Sequence, residues 1–295
     1  MESRSDIAPL IVIVGETASG KSALAMQLAQ KFSGEIISAD SWTVYKGFDI
    51  GTAKPSKEEL ALAPHHLLDI AEPREGFSAP EFKKRAIQAI DGIARKDKVP
   101  FMVGGTGLYT DSVLFDYRFL AAPDAALHAE LSALSIHEIR QKVTEQNLGT
   151  EGIDVRNKRR LIRLLETGGA RPEKSLMRQN TLVLGVYVER EHLRERVMRR
   201  VDAMLTAGLE QEVRHLSEKY GWDIEPMKGI GYREWFEYFT GSQTLDQTRD
   251  RIIAATMNLA KRQRTWFKRN NSIHWLTTDD KFTEAVDLLT TFLNK

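Results

Sequence analysis

Gly15-Glu16-Thr17-Ala18-Ser19-Gly20-Lys21-Ser22 fits the pattern G-x-x-x-x-G-K-[ST] without a gap. Each residue type has a task. The glycines let the backbone wrap closely round a phosphate, the loop amides point inward, and the helix that follows offers its positive dipole end. Lys21 supplies a mobile charge for an outer phosphate, and the Ser22 hydroxyl can ligate Mg²⁺. The loop lies between a short apolar run, Leu10 to Val14, and a segment of helical spacing, Ala23 to Phe32. That is the context the motif requires. A diphosphate or triphosphate ligand is expected, held by Gly15, Thr17, Ala18, Ser19, Gly20, Lys21 and Ser22. The loop does not specify the reaction.

Two further apolar runs end in groups that could act on the same ligand. Asp40 follows Glu35 to Ala39; a carboxylate there can hold Mg²⁺ through a water or serve as general base, and it can equally cap a turn at Ser41. Gly104-Gly105-Thr106-Gly107 follows Val99 to Val103. Its glycines permit close backbone approach, and Thr106 offers a hydroxyl. Farther along, Arg196 and Arg200 share one face of a helix and could meet charge on a departing phosphate. With Glu189, Glu191 and Glu195 nearby, composition alone favours a solvated, salt-bridged face.

These residues need strand ends to hold them. Apolar runs at 10–14, 35–39, 99–103 and 181–188 alternate with helical patterns at 23–32, 80–98 and 191–205, which implies an α/β fold with a parallel sheet. The expected architecture is a P-loop NTPase-like parallel sheet flanked by helices, formed by residues 1–116 and 181–295. Residues 117–180 show helical patterns without a convincing strand and read as a mainly helical insertion domain. A helix at 245–269, a strand at 273–276 and a terminal helix complete the chain.

Composition narrows the function classes. The 295 residues are 42% apolar and 28% charged, as in an ordinary soluble globular protein. The absence of cysteine excludes a disulfide framework, a Cys-type zinc site and a cysteine nucleophile. No run is long and apolar enough for a membrane span, and Met1 to Pro9 lacks the apolar core of a signal peptide. A cytoplasmic protein is expected.

A net charge of +1 argues at first against a nucleic-acid partner, but it averages a gradient. Residues 1–113 hold 13 Lys/Arg against 15 Asp/Glu, residues 114–155 hold 3 against 7, and residues 156–295 hold 26 against 19. On an ideal helix Arg156, Arg159, Arg160 and Arg163 form a stripe opposite Leu161, Leu164 and Leu165, a plausible grip for a phosphate backbone. Lys261 to Arg269 carries five basic residues and no acid, with Trp266 and Phe267 interleaved. That mixture suits RNA, although either ring could instead close a core. Lys228-Gly-Ile-Gly-Tyr232-Arg233 is a glycine loop with a cation at each end. His65-His66 completes no metal spacing and reads as hydrogen-bonded structure.

Taken in order, GETASGKS at 15–22, ISADSWTVYKGFDIGTAKP at 37–55, PHHLLDI at 64–70 and VGGTGLY at 103–109 resemble the tRNA dimethylallyltransferase (tRNA isopentenyltransferase) family, bacterial type. NKRRLIRLLE at 157–166, RRVDAMLTAGLEQEV at 199–213, KGIGYREW at 228–235 and LAKRQRTWFKR at 259–269 extend the resemblance over nearly the whole chain. The resemblance implies that the loop holds the diphosphate of dimethylallyl diphosphate and that the acceptor is N6 of the adenosine 3′-adjacent to a tRNA anticodon. It makes Asp40 the candidate base on that amine. Lys21, Thr106 and Arg200 would stabilise the leaving diphosphate, and Mg²⁺ would sit on Ser22, with Asp40 through water. Asp40, Ser41, Trp42 and Thr43 match segments associated with the anticodon stem-loop. So do Arg159, Arg160, Arg163, Lys228, Tyr232, Arg233, Lys261, Arg262, Arg264 and Lys268. A monomer is expected.

The chain departs from the family pattern in places. Glu16 and Thr43 stand where many members have Pro and Gln, and Glu16 is expected to point away from the diphosphate. Segment 117–155 looks short, and without cysteine the zinc finger of eukaryotic relatives is not expected. Three alternatives compete: an adenylate isopentenyltransferase, a P-loop small-molecule kinase, and an RNA-binding module regulated by its nucleotide loop. The spread of basic segments favours tRNA over a free nucleotide, and the strand-end acid favours catalysis over binding alone.

Overall fold

The computed structural model describes residues 7–294, so the reading of Met1 to Pro9 falls mostly on residues outside it. β1 (Leu10–Gly15) is buried along its whole length, as a central parallel strand must be. It is followed by α1 (Lys21–Lys31), β2 (Gly34–Ser38), the short α2 (Lys57–Leu62), a two-residue strand β3 (His65–His66), α3 (Ala79–Ala94), β4 (Val99–Gly104) and α4 (Gly107–Leu114). Next come α5 (Ala125–Ala133), α6 (Ile136–Glu145), α7 (Lys158–Glu166), β5 (Thr181–Val186), α8 (Arg190–Thr206) and α9 (Leu209–Tyr220). The short α10 (Phe236–Phe239), α11 (Leu245–Phe267), β6 (Ile273–Leu276) and α12 (Lys281–Leu293) complete the order.

The six strands form one sheet in the order β3-β2-β4-β1-β5-β6, and every pairing is parallel. β1 sits between β4 and β5, so connections run off to opposite sides at its carboxyl end. That crevice is where open parallel sheets bind ligands. Alternate residues of the strands build one core layer, in which Ile11, Ile13, Phe101, Leu184 and Leu276 pack under α1 and α12 through Leu24, Leu28, Ala285 and Leu289. A second core is helical: Val197 and Val201 of α8, Val213 and Leu216 of α9 and Ile252 of α11 enclose Phe48, Tyr232 and Trp235.

The expected strands and long helices are present. Helix 80–98 ends earlier, at Ala94, because the chain turns through Asp97 at φ +54° to enter β4. β3 escaped the sequence reading because two residues cannot show a period. His66 there shares Glu35 with Lys96 and Lys98, its Nε2 lying 2.7 Å from Glu35 Oε2, and His65 Nδ1 lies 2.8 Å from the Ala63 carbonyl. The histidines are hydrogen-bonded structure. No helix among the described residues is long and apolar enough to cross a membrane.

Contacts divide the chain into two compact units, Phe115–Leu176 and the remainder. The smaller unit is helical, with its own core of Leu131, Ile139, Val143, Leu161, Ile162, Leu164 and Leu165. A capping box at Ser135 and side-chain caps at Asp124 and Asn157 start its helices.

Candidate active site

The phosphate loop joins β1 to α1 at the centre of the sheet. Ala18 at φ +60° and Gly20 at φ +93° fold it back on itself, and Gly20 is the residue from which α1 starts. Lys21 Nζ donates to the Glu16 carbonyl at 3.3 Å. A cavity of about 390 Å³ opens over the strand ends, with Thr17, Lys21, Ser22, Asp40, Arg200 and Gln263 on its wall. Met26 and Ile36 from the sheet core and Val197, Val201, Met204 and Ile252 from the helical core supply an apolar side. A phosphorylated head with a short hydrocarbon tail suits such a lining.

Asp40 and Thr106 meet where β2 and β4 end. Asp40 Oδ1 accepts the Trp42 amide at 2.9 Å, closing an Asx-type turn. Thr106 Oγ1 accepts the Ser41 amide at 3.1 Å, and its own amide donates to the Ala39 carbonyl at 3.3 Å. Asp40 thus takes the turn role and faces the cavity as well. Thr106 secures the Asp40–Ser41 turn to β4.

The arginines of α8 divide: Arg190, Arg194, Arg196 and Arg199 are exposed, and Arg200 is turned inward. Arg196 donates to the Ser19 carbonyl at 3.0 Å, and Arg200 Nη1 lies 3.4 Å from Thr17 Oγ1. The side of α8 that carries Val197 and Val201 into the helical core directs Arg196 and Arg200 at the phosphate loop, one helical turn apart. Burial pulls Lys21 down to about 8, with Arg200 adding repulsion and Asp40 and Glu16 opposing. Burial also lowers Arg200, against the attraction of Asp40. Two desolvated cations sharing one carboxylate make a site that an anion would relieve.

The inner face of α11 closes the site, and the sequence reading missed its central residue. Gln263 is buried; its Oε1 accepts the Thr17 amide at 2.7 Å and its Nε2 donates to the Gly105 carbonyl at 3.0 Å. The Thr17 amide is therefore not among those available to a phosphate. Arg264, expected on tRNA, is turned inward instead. Its Nε and Nη2 reach the two Glu16 carboxylate oxygens at 2.6 and 2.7 Å, and Nη2 also donates to the Val188 carbonyl at 2.7 Å. The pairing arises because Glu16 is buried at the base of the loop, where its charge requires a partner.

The glycines after β4 serve this same contact rather than close approach to a ligand. A Cβ on Gly105 would lie 2.2 Å from Gln263 Nε2, and one on Gly107 would lie 2.3 Å from the Trp266 ring. Trp266 Nε1 donates to Asp111 at 3.0 Å, and Phe267 is buried in the core. The clue in the sequence was the pairing of a glycine-rich strand end with a lone amide inside a basic helix, which only proximity could make meaningful.

The remaining candidates fall into distinct groups. Trp42 and Thr43 line the cavity, Thr43 buried with its Oγ1 3.0 Å from Ser38 Oγ. Tyr232 cannot present its ring to RNA: it is buried against Phe48, and its hydroxyl donates to Glu212 Oε1 at 2.7 Å. Glu212 also accepts the amides of Asp49, Ile50 and Gly51, so the pair fixes the loop that forms one wall of the cavity. Lys228 and Arg233 beside it are exposed, as are Lys261 and Arg262 on α11 and Lys268 at its end.

In the smaller unit Arg159 and Arg160 are exposed on α7, whereas Arg163 is half-buried and donates to the Ala121 carbonyl at 2.8 Å. Arg156 is not part of the stripe: Asn157 caps α7, which leaves Arg156 before the helix and 3.2 Å from Asp154.

Comparison with known proteins gives a consistent picture. The family model described as IPP transferase matches residues 43–270. A tRNA dimethylallyltransferase of Anoxybacillus flavithermus is 40% identical over 287 residues, spanning 93% of this chain and 92% of that protein. One of Streptococcus sanguinis is 41% identical over 294 residues, spanning 97% and 99%. Among solved structures, the full-length tRNA isopentenylpyrophosphate transferase of Bacillus halodurans superposes with a TM-score of 0.76 at 34% identity, covering 98% of this chain and 97% of that one. A eukaryotic dimethylallyltransferase captured acting on tRNA gives a TM-score of 0.82 at 28% identity, covering 98% and 80%.

Proposed function

The chain belongs to the IPP transferase family, and from that premise we propose that it transfers the dimethylallyl group of dimethylallyl diphosphate to N6 of adenosine 37 in tRNA, next to the anticodon. The observation that carries this reading is the convergence of Lys21, Arg200 and Asp40 on one cavity with an apolar side. In the reaction N6 forms a bond to C1 of the donor, the C1–O bond breaks, and its electron pair leaves with diphosphate. Asp40 takes the proton that N6 sheds. Lys21, Arg200 and the loop amides of Ala18, Gly20, Lys21 and Ser22 meet the charge growing on the leaving group, where stabilisation counts most. Thr106 holds the turn that aims Asp40. Base chemistry on an RNA loop requires the adenine to leave its stack and enter the cavity, and Trp42 offers a ring on its wall.

The donors also suit Mg²⁺. The Ser22 hydroxyl and the Asp40 carboxylate line the same cavity and are the hard oxygen groups this ion prefers. Ser22 would hold it, with Asp40 through water, and the ion would neutralise diphosphate charge. The exposed cations Arg159, Arg160, Lys228, Arg233, Lys261, Arg262 and Lys268 are the proposed contacts to the anticodon stem-loop, with residues 117–180 acting as the tRNA-gripping insertion. The protein works as a cytoplasmic monomer on this reading.

The test is incubation with Mg²⁺, dimethylallyl diphosphate and unmodified tRNA, followed by mass spectrometry for a C5H8 addition on adenosine. Asp40→Ala is expected to lower kcat by about 10²–10⁴-fold, the usual weight of a general base, while tRNA affinity is largely kept. Transfer to free AMP instead of tRNA, or phosphate transfer from ATP, would refute the reading.

A further inference from the structure

Gln263 has no part in the chemistry described above, yet both loops that face the leaving group are tied to it. Its amide spans from the Thr17 N–H, at 2.7 Å, to the Gly105 carbonyl, at 3.0 Å. It links chain segments 246 and 158 residues away from it. The side chain is only 8% exposed, so little water competes for either bond.

The residue type is specific to the task. A primary amide can accept at one end and donate at the other while bringing no charge beside a diphosphate site. Glutamate would set an oxygen against the Gly105 carbonyl, and lysine could not accept the Thr17 amide. A Cβ on Gly105 would stand 2.2 Å from Gln263 Nε2, so it could fit only if the amide were displaced. The backbone after β4 is therefore in direct contact with this one side chain. Immediately beyond Gly105, Thr106 carries the hydrogen bond to Ser41 that sets the Asp40 turn.

We infer that Gln263 is a positioning residue. It fixes the separation between the diphosphate loop and the Thr106 turn, and through them the distance from leaving group to base. This deepens the proposed prenyl transfer and rests on it for its kinetic consequences. The arrangement also divides α11 between two sides: Gln263 is turned to the site, while Lys261 and Arg262, with Lys268 just past the helix end, are exposed.

The experiment compares the wild-type chain with Gln263→Met, which keeps the length and apolar stem and loses both hydrogen bonds. Four quantities are read: inorganic pyrophosphate affinity by calorimetry, tRNA affinity at fixed salt, kcat, and KM for the donor. A displaced reacting group costs on the order of 10²-fold, so kcat is expected to fall about 10- to 100-fold. Pyrophosphate affinity should drop about 10-fold, with tRNA affinity within about twofold of wild type. Gly105→Ala approaches the same contact from the other side, by pushing the amide away, and should reproduce the pattern. It carries the test if Gln263→Met does not fold.

Unchanged pyrophosphate affinity and kcat in both variants would overturn the inference. So would an equal loss of tRNA affinity, which would make Gln263 an RNA contact. Pyrophosphate binding needs no acceptor, so it separates this inference from the proposed function. If the wild-type chain binds pyrophosphate but does not modify tRNA, the function fails while the Gln263 effect on binding still decides its role.

Discussion

Two basic tracts, α7 and the last turns of α11, look alike in composition and differ in what lies behind them. In α7 the inward side is mostly apolar: Leu161, Ile162, Leu164 and Leu165 fill the core of the smaller unit, Arg159 and Arg160 are left exposed, and Arg163 leans over to the Glu166 carboxylate at 3.4 Å. In α11 the opposite side meets a loop with a buried acid, and Arg264 is drawn in to pair with Glu16 while Gln263 bridges two backbones. A cation on an amphipathic helix stays at the surface only where its own core is indifferent to charge. Where a buried carboxylate is waiting, the cation becomes part of the interior.

The largest expected effect breaks this contrast at Arg264. Arg264→Met leaves the Glu16 charge buried and unpaired beside the phosphate loop, which should cost about 3–5 kcal/mol in urea unfolding and weaken pyrophosphate binding. Adding Glu16→Gln should recover most of that stability. If Arg264→Met altered only tRNA affinity, the two tracts would be alike after all.

Glu35 repeats the measurement at the other end of the sheet, away from the chemistry. Burial pushes its carboxyl up, but hydrogen bonds from Lys98, His66 and Lys96 prevail and bring it down to about 2. Because the folded-state value lies below the usual 4.5, the stability it confers is complete above about pH 4.5 and is lost as pH falls toward 2. Glu35→Gln should cost about 2 kcal/mol at neutral pH and flatten the acid limb of a stability profile, with kcat unchanged. The two lysines and the histidine it leaves are partly exposed and can hydrate, which keeps this effect below that at Arg264.

Arg160→Ala should leave stability within about 0.5 kcal/mol. It should weaken tRNA binding several-fold and lower the salt slope by about 1, the signature of one lost phosphate contact. Arg156→Ala should change tRNA affinity less than about twofold, because Arg156 lies before the helix and beside Asp154. Equal effects at positions 156 and 160 would restore the four-arginine stripe.

Which parts were legible in advance follows from how local their causes are. The phosphate loop, Asp40 and Thr106 were legible because each sits at the end of an apolar run, and the fold class carries that position to the carboxyl edge of the sheet. Arg200 was not legible from composition: α8 carries acids and arginines on several faces, and only the seating of Val197 and Val201 in the helical core decides which face meets the loop. Tyr232, which the family resemblance assigned to RNA, is buried instead, because Glu212, 20 residues away, holds its hydroxyl indoors.

The sequence by itself determined the parallel α/β architecture, the anion-binding loop and the division between an acidic front and a basic back. Hydrophobic period, glycine placement and charge are local properties, and a chain displays them before it folds. The tertiary structure alone decided which polar groups on one helix turn outward and which turn inward. That depends on what stands opposite, and for Gln263 and Arg264 the opposing atoms belong to loops up to 248 residues away.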